Sequence, residues 1–88
     1  MEERPAIYIV DDEHRMCHSL EALLQQFGFS AEFTTSGTRA LKDFGKRHYD
    51  LFLLDIGIPD LDGFQLMDAI LKRRPEAAII MMTGDATV

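Results

Sequence analysis

This chain of 88 residues lacks the features that mark secreted and membrane proteins. Its single cysteine, Cys17, excludes an internal disulfide, and no apolar run is long enough to cross a bilayer. The first residues, MEERP, lack the basic start and the apolar stretch of a signal peptide. We therefore expect a soluble, cytoplasmic protein that does not contact the membrane.

Basic residues are also scarce. Nine Lys and Arg stand against fifteen Asp and Glu, which gives a net charge of −6. No segment combines clustered Lys and Arg with interleaved aromatic residues, so direct nucleic-acid binding is not expected. The chain does contain 47% hydrophobic residues, enough for one small core. No repeat or linker divides it, and we expect a single domain over residues 1–88.

The hydrophobic period changes repeatedly along the chain. Four short apolar runs predict strands, at residues 7–10, 29–33, 51–54 and 78–82. A helix-spaced segment follows each of the first three strands. Gly28 is expected to end the first helix, Ser36 to cap the second and Pro75 to stop the third. This βαβαβαβ order predicts an α/β fold, with a doubly wound parallel sheet and helices on both faces.

Two of the predicted helices carry more specific expectations. Asp62 and Gln65 are three residues apart at the start of the third helix, a spacing typical of a capping box. In the first helix, Cys17 lies beside Met16 and Leu20. We expect a buried thiol with a structural role there.

Three of the predicted strands end at an acidic or hydroxyl side chain. Asp11 and Asp12 follow the first strand, Asp55 follows the third and Thr83 the fourth. Parallel strands bring their carboxyl ends to one edge of a sheet, so these side chains should meet. Two carboxylates about 5 Å apart repel by roughly 3 kcal/mol at an effective dielectric near 20, so the cluster requires a cation. A set of oxygen ligands alone favours Mg²⁺.

Such a cluster suits phosphoryl chemistry. A carboxylate that attacks a phosphoryl group forms an aspartyl phosphate, while a divalent cation neutralises the charge that both partners bring. Asp55 is the candidate nucleophile. Thr83 is placed to hydrogen-bond a phosphoryl oxygen, and Gly84 has no side chain to obstruct it.

Three motifs together, IYIVDDE, LLDIGIPDLDG and IIMMTGD, resemble the receiver domain of two-component response regulators. The spacings agree, since 43 residues separate Asp12 from Asp55 and 28 separate Asp55 from Thr83. The resemblance implies the flavodoxin-like receiver fold and a sensor histidine kinase as phosphoryl donor. It implies no enzymatic activity beyond Mg²⁺-dependent self-phosphorylation and autodephosphorylation.

The resemblance also assigns roles to individual residues. Asp55 corresponds to the phospho-acceptor and Thr83 to the switch hydroxyl. The implied Mg²⁺ ligands are Asp11, Asp12, Asp55 and the backbone carbonyl of Gly57. The turn after the acceptor strand is matched by Pro59, Asp62 and Gly63.

By its length, this chain resembles about three quarters of a receiver domain. Receivers continue with a fourth helix, a fifth strand that ends in a Lys contacting the phosphoryl group, and a fifth helix. Here residues 86–88 would only begin the fourth helix. We therefore expect a C-terminally truncated domain, with weaker phosphorylation in the absence of that Lys. The uncovered fourth strand, at 79–82, predicts a homodimer or a swapped dimer.

Several alternatives come from other classes. One is a receiver fragment that is not phosphorylated and serves only for association. A hydrolase of the haloacid dehalogenase type would require a second Asp where Gly57 stands, and a dinucleotide enzyme would require a Gly-rich turn where DDEHRM stands. Asp11 and Asp12 alternatively cap the first helix. His14 and His18 have a metal-compatible spacing, but a solvated helix face explains them more simply.

Overall fold

Four strands form one parallel sheet in the computed structural model, which describes residues 4–83. The strands are β1 (Ala6–Val10), β2 (Ser30–Thr34), β3 (Leu51–Asp55) and β4 (Ala78–Met82), and the helices are α1 (His14–Gln26), α2 (Gly37–Asp43) and α3 (Gly63–Arg73). The strand order is β2-β1-β3-β4. The predicted α/β fold is therefore confirmed, and strand bounds differ from the predicted ones by at most one residue. The predicted start of a fourth helix and Gly84 lie outside the described residues.

The sheet separates two apolar layers because side chains alternate along each strand. On β1, Tyr8 and Val10 pack with α2 and α3, whereas Ile7 and Ile9 pack with α1. Cys17 of α1 is fully buried in the second layer, and its Sγ donates to the carbonyl of Asp11 at 3.2 Å. The predicted structural thiol is thus present.

Aromatic rings fill the layer between the sheet and α2. Phe52 of β3 is fully buried at its centre. It makes edge-to-face contacts with Tyr8, Phe44 and Tyr49, at centroid distances of 5.6 to 6.5 Å. Such pairs stabilise a core beyond the area that they bury. This layer supports β3, the strand that carries Asp55.

Most helix ends lie at the residues that the sequence predicts. Gly28 adopts φ +90°, and the amides of Gly28 and Phe29 donate to carbonyls in the last turn of α1, at 3.1 and 3.0 Å. Ser36 caps α2 by accepting from the amide of Arg39 at 3.1 Å. The structure differs at α3. Asp62 accepts from the amide of Phe64 at 3.0 Å, so the cap is a tighter turn than the predicted capping box with Gln65.

The outer strand on one side of the described sheet is β4, which pairs with β3. Ile80 in this strand is 52% exposed, a large fraction for a β-branched side chain. Among residues 4–83, no helix has the length and apolar character needed to cross a membrane.

Candidate functional site

An open cleft of about 500 Å³ lies at the carboxyl ends of the strands. Its lining consists of Asp11, Asp12, Glu13, Met16, Asp55, Ile56, Gly57 and Thr83. All five predicted site residues are therefore at one place. A larger cleft, of about 670 Å³, lies at the opposite, amino-terminal end of the sheet. Its lining contains one carboxylate, that of Asp50, so the acidic chemistry belongs to the first cleft.

Strand register explains why these side chains meet. Val10 pairs with Leu54 across β1 and β3, and Asp55 pairs with Met82 across β3 and β4. Asp11, the residue after β1, consequently lies level with Asp55, and Thr83, the residue after β4, lies one residue beyond that level. The amide of Ile56 donates to the carbonyl of Met82 at 2.8 Å, which extends the pairing beyond β3 and into the cleft.

The carboxylates of Asp11, Asp12 and Asp55 form a compact group. One oxygen from each lies within 4.8 Å of the others. Two ligands of an octahedral Mg²⁺ are about 2.9 Å apart when adjacent and about 4.1 Å apart when opposite, from metal–oxygen distances near 2.05 Å. A small inward movement of the side chains would therefore bring them to a hard cation. The oxygen-only donor set fits Mg²⁺.

Two of these carboxylates are held in place by backbone amides. Asp11 is 3% exposed, and its Oδ1 accepts from the amide of Glu13 at 2.9 Å. Asp55 is 5% exposed, and its Oδ1 accepts from the amide of Gly57 at 3.1 Å. Asp12 is exposed at the rim of the cleft. Two buried carboxylates and one exposed carboxylate thus surround the cleft.

The surroundings of Asp11 disfavour the ionised form of its carboxyl. Burial raises the pKa of its carboxyl, and the negative charges of Asp55 and Asp12 raise it further. The hydrogen bond from the Glu13 amide opposes this shift. The folded chain therefore concentrates negative charge where little water can solvate it. A bound cation would relieve that repulsion.

Alternative roles for the acidic pair and for the histidines can be compared with the geometry. Glu13, not Asp11, stands at the N-cap position of α1, and Asp11 accepts from Glu13 itself. Asp11 therefore orders the loop before the helix. His14 and His18 stack in parallel on the exposed face of α1, with ring centroids 6.3 Å apart, and neither lines the cleft.

Sequence reasoning missed three residues of the cleft. Glu13 adds a fourth carboxylate to the lining, while Met16 and Ile56 contribute apolar surface. The run DDE was a signal for Glu13, since it follows the two acids directly. Nothing in the hydrophobic period distinguishes Met16 from the core positions of α1.

Comparison with known proteins gives a family match and curated relatives. Residues 7–88 match the family model described as Response regulator receiver domain. The transcriptional regulatory protein CreB of Escherichia coli is 32% identical over 82 residues, which are 93% of this chain and 36% of CreB. The chain thus spans about a third of that relative's length.

Solved structures agree with the fold. A CheY-like response regulator receiver domain protein from Methanospirillum hungatei superposes with a TM-score of 0.90 and 30% identity, over 98% of this chain and 69% of that one. TrrA from Thermotoga maritima, in complex with Mg²⁺ and BeF, gives a TM-score of 0.86 and 34% identity, over 93% and 71%. TrrA in complex with the histidine kinase ThkA gives 0.85 at the same identity, over 94% and 72%. The chain belongs to the response regulator receiver domain family.

Proposed function

We propose that this chain is a cytoplasmic phospho-accepting receiver, which takes a phosphoryl group from a sensor histidine kinase onto Asp55 with the help of Mg²⁺. The observation that carries the proposal is the placement of the Asp11 and Asp12 carboxylates beside Asp55, with ligand oxygens within 4.8 Å. The TrrA structures support it, since that relative is known in complex with Mg²⁺ and BeF and with a histidine kinase.

In this proposal, the carboxylates of Asp11, Asp12 and Asp55 would hold the ion together with the backbone carbonyl of Gly57. When bound, Mg²⁺ supplies positive charge that lets an anionic phosphoryl donor approach an anionic acceptor. The Gly57 amide fixes the orientation of the Asp55 carboxylate through its bond to Oδ1. The acceptor is therefore oriented by the fold itself.

Phosphoryl transfer then needs one nucleophile and one leaving group. A carboxylate oxygen of Asp55 attacks phosphorus, and the bond from phosphorus to the kinase histidine nitrogen breaks. That nitrogen keeps the bonding electron pair. Thr83, at the end of β4, reorients its hydroxyl toward the new phosphoryl group and donates a hydrogen bond to it. The domain acts as a switch, with self-phosphorylation and autodephosphorylation as its only catalytic steps.

The proposal can be tested with acetyl phosphate, which donates a phosphoryl group without a kinase. Incubation with Mg²⁺ should add one phosphoryl group, about 80 Da, with the acid stability and alkali lability of an acyl phosphate. Asp55→Asn should abolish the addition. Asp68→Asn, which removes an exposed carboxylate on α3, should leave it unchanged. Equal labelling of the Asp55→Asn variant would exclude Asp55 as the acceptor.

One observation favours a second candidate function, that of an association module. Ile80 is 52% exposed in β4, the outer strand of the described sheet. An apolar outer strand is a template for pairing with another chain. We propose a homodimer, formed by pairing or by exchange of elements at this edge, as the alternative. Light scattering at high protein concentration distinguishes it, because a monomeric mass would exclude association.

A further inference from the structure

The loop between β3 and α3 is tied to the start of α2 by one carboxylate. Oδ1 of Asp60 accepts from the amide of Gly37 at 2.9 Å. Its Oδ2 accepts from the amide of Thr38 at 3.2 Å, from the Thr38 hydroxyl at 3.0 Å and from the Ser36 hydroxyl at 2.9 Å. Sequence reasoning assigned no role to Asp60. We call these four hydrogen bonds the Asp60 clamp.

Close packing accompanies the clamp. A Cβ added to Gly37 would lie 2.7 Å from the Cβ of Leu61 and 3.3 Å from the Cγ2 of Ile58. Because no real Cβ approaches another carbon that closely, only glycine fits here without a shift. Ile58 is itself 5% exposed and packs in the core. The first residue of α2 therefore rests directly on the loop that follows Asp55.

Asp60 is three residues from Gly57 along the chain. Asp60 and Ile58 are held from the α2 side, while the Gly57 amide bonds to the Asp55 carboxylate at 3.1 Å. The segment between Asp55 and Asp60 is thus fixed at both ends. Helix capping alone would need only the bonds to the α2 amides, and Ser36 already caps that helix from within. The additional hydrogen bonds, from the Ser36 and Thr38 hydroxyls, and the contact at Gly37 hold the loop against α2.

We propose that Asp60 is a positioning residue for the metal site: by joining the loop to α2, it fixes the backbone carbonyl of Gly57 relative to the carboxylate of Asp55. The inference deepens the proposed function and depends on it, because the Gly57 carbonyl matters only where a cation binds. Groups that orient metal ligands typically change metal affinity by 10–100-fold when they are removed.

The test compares the Mg²⁺ dissociation constant with hydrogen exchange of the Gly57 amide in the metal-free protein. Asp60→Ala removes the clamp. Gly37→Ala breaks the contact with Leu61 but keeps every charge and improves the helix propensity of α2. Both variants should bind Mg²⁺ about tenfold more weakly, and both should exchange the Gly57 amide faster.

Two controls separate positioning from stability and from charge. Ala40→Gly weakens α2 without touching the clamp, and Asp68→Asn removes an exposed carboxylate from α3. Each should keep the Mg²⁺ dissociation constant within about twofold of the unaltered chain, since neither substitution removes a hydrogen bond of the clamp or changes the packing at Gly37. Thr38→Val, which removes a single donor, provides a milder variant if Asp60→Ala does not fold. It should shift the dissociation constant in the same direction by a smaller factor.

Each outcome bears on the proposal. Weaker binding in the two clamp variants but not in the controls supports it. If the unaltered chain binds Mg²⁺ and the Asp60→Ala variant, or Thr38→Val in its place, binds equally well, the clamp has no positioning role and the proposed function stands. If the unaltered chain binds no Mg²⁺, the proposed metal site is wrong, and the positioning role falls with it. In that case, unchanged hydrogen exchange of the Gly57 amide in the clamp variants would also show that the clamp does not order the loop.

Discussion

Gly63 lies directly against the backbone of Asp55. A Cβ on Gly63 would be 2.5 Å from the carbonyl oxygen of Asp55 and 3.0 Å from the Cα of Ile56. These are backbone atoms, so they have no rotamer by which to move aside. The start of α3 therefore approaches the end of β3 as closely as it does only because residue 63 has no side chain.

We predict that Gly63→Ala destabilises the chain by about 1–3 kcal/mol, the usual range for overpacking a well-packed site. The added methyl group must push α3 away from the strand end that carries Asp55. Urea denaturation measures the change in the free energy of unfolding. Acetyl phosphate labelling of the folded fraction should fall as well, because the acceptor is displaced.

Gly57→Ala is the matched control for this variant. A Cβ at Gly57 would meet only Oδ1 of Asp55, at 3.9 Å, which is an ordinary contact. The same substitution six residues away should therefore change the free energy of unfolding by no more than about 0.5 kcal/mol. Equal effects at both glycines would contradict the packing argument.

The fold could be predicted from the sequence because the hydrophobic pattern of each strand and helix reflects which of its faces are buried. The apolar run at residues 51–54 is unbroken because apolar layers cover both faces of β3. The meeting of Asp11 with Asp55 followed from the same relation, since parallel strands end at one edge. Local signals were equally direct at Gly28, whose positive φ is what a helix C-terminus requires.

Other features depend on tertiary contacts that no local pattern encodes. Asp60 bonds to residues 22 to 24 positions away, and its neighbours along the chain do not distinguish it from any other exposed turn acid. The Asp62 cap was placed correctly, but its partner is Phe64 because the turn closes one residue earlier than a capping box would. Met16 reaches the cleft because α1 begins close to the strand ends.

Asp11→Asn should stabilise the metal-free chain by about 1 kcal/mol at pH 7, a fraction of the roughly 3 kcal/mol by which two carboxylates 5 Å apart repel. The amide oxygen of Asn can still accept from Glu13. The pKa of Asp11 is raised in the folded chain, so its ionised form opposes folding and its protonation relieves that penalty. The advantage of the variant should therefore be largest at neutral pH and disappear in acid.

Urea denaturation with and without Mg²⁺ measures both halves of this prediction. Mg²⁺ should stabilise the unaltered chain but stabilise Asp11→Asn much less, because one ligand has lost its charge. Asp12→Asn, at the exposed rim, should give a smaller gain without metal. A metal-free Asp11→Asn variant less stable than the unaltered chain would show that the carboxylate is not under charge repulsion.

Ile80→Lys should weaken any self-association of the chain while changing the free energy of unfolding by no more than about 0.5 kcal/mol. Ile80 is 52% exposed on β4, and a charge on an outer strand disfavours pairing with another chain. Leu41→Lys is the control, since Leu41 is 41% exposed on α2 and away from that strand. Sedimentation equilibrium measures the association constants. Equal constants for the two variants would exclude the β4 edge as the interface.

The Asp60 clamp predicts that the free energy of unfolding decreases in acid. The amides of Thr38 and Gly37, with the two hydroxyl donors, lower the pKa of Asp60 from an ordinary 3.8 to about 2. The ionised carboxylate therefore favours the folded state at every pH above about 4, and this contribution is lost as the pH falls toward 2, because the unfolded chain takes up the proton first.

Asp60→Asn should consequently be less stable than the unaltered chain at pH 5 and should approach it near pH 2, where most of the contribution of the ionised Asp60 carboxylate has been lost. The Asn side chain retains one oxygen for the Gly37 amide, but its NH₂ group cannot accept from Thr38 or Ser36. Urea midpoints between pH 2 and pH 6 measure the difference. Asp68→Asn should show no such trend, because the partner of Asp68 is the exposed Lys72, at 3.7 Å. A gap between Asp60→Asn and the unaltered chain that is as large at pH 2 as at pH 5 would mean that the ionised carboxylate is not what holds the loop on α2.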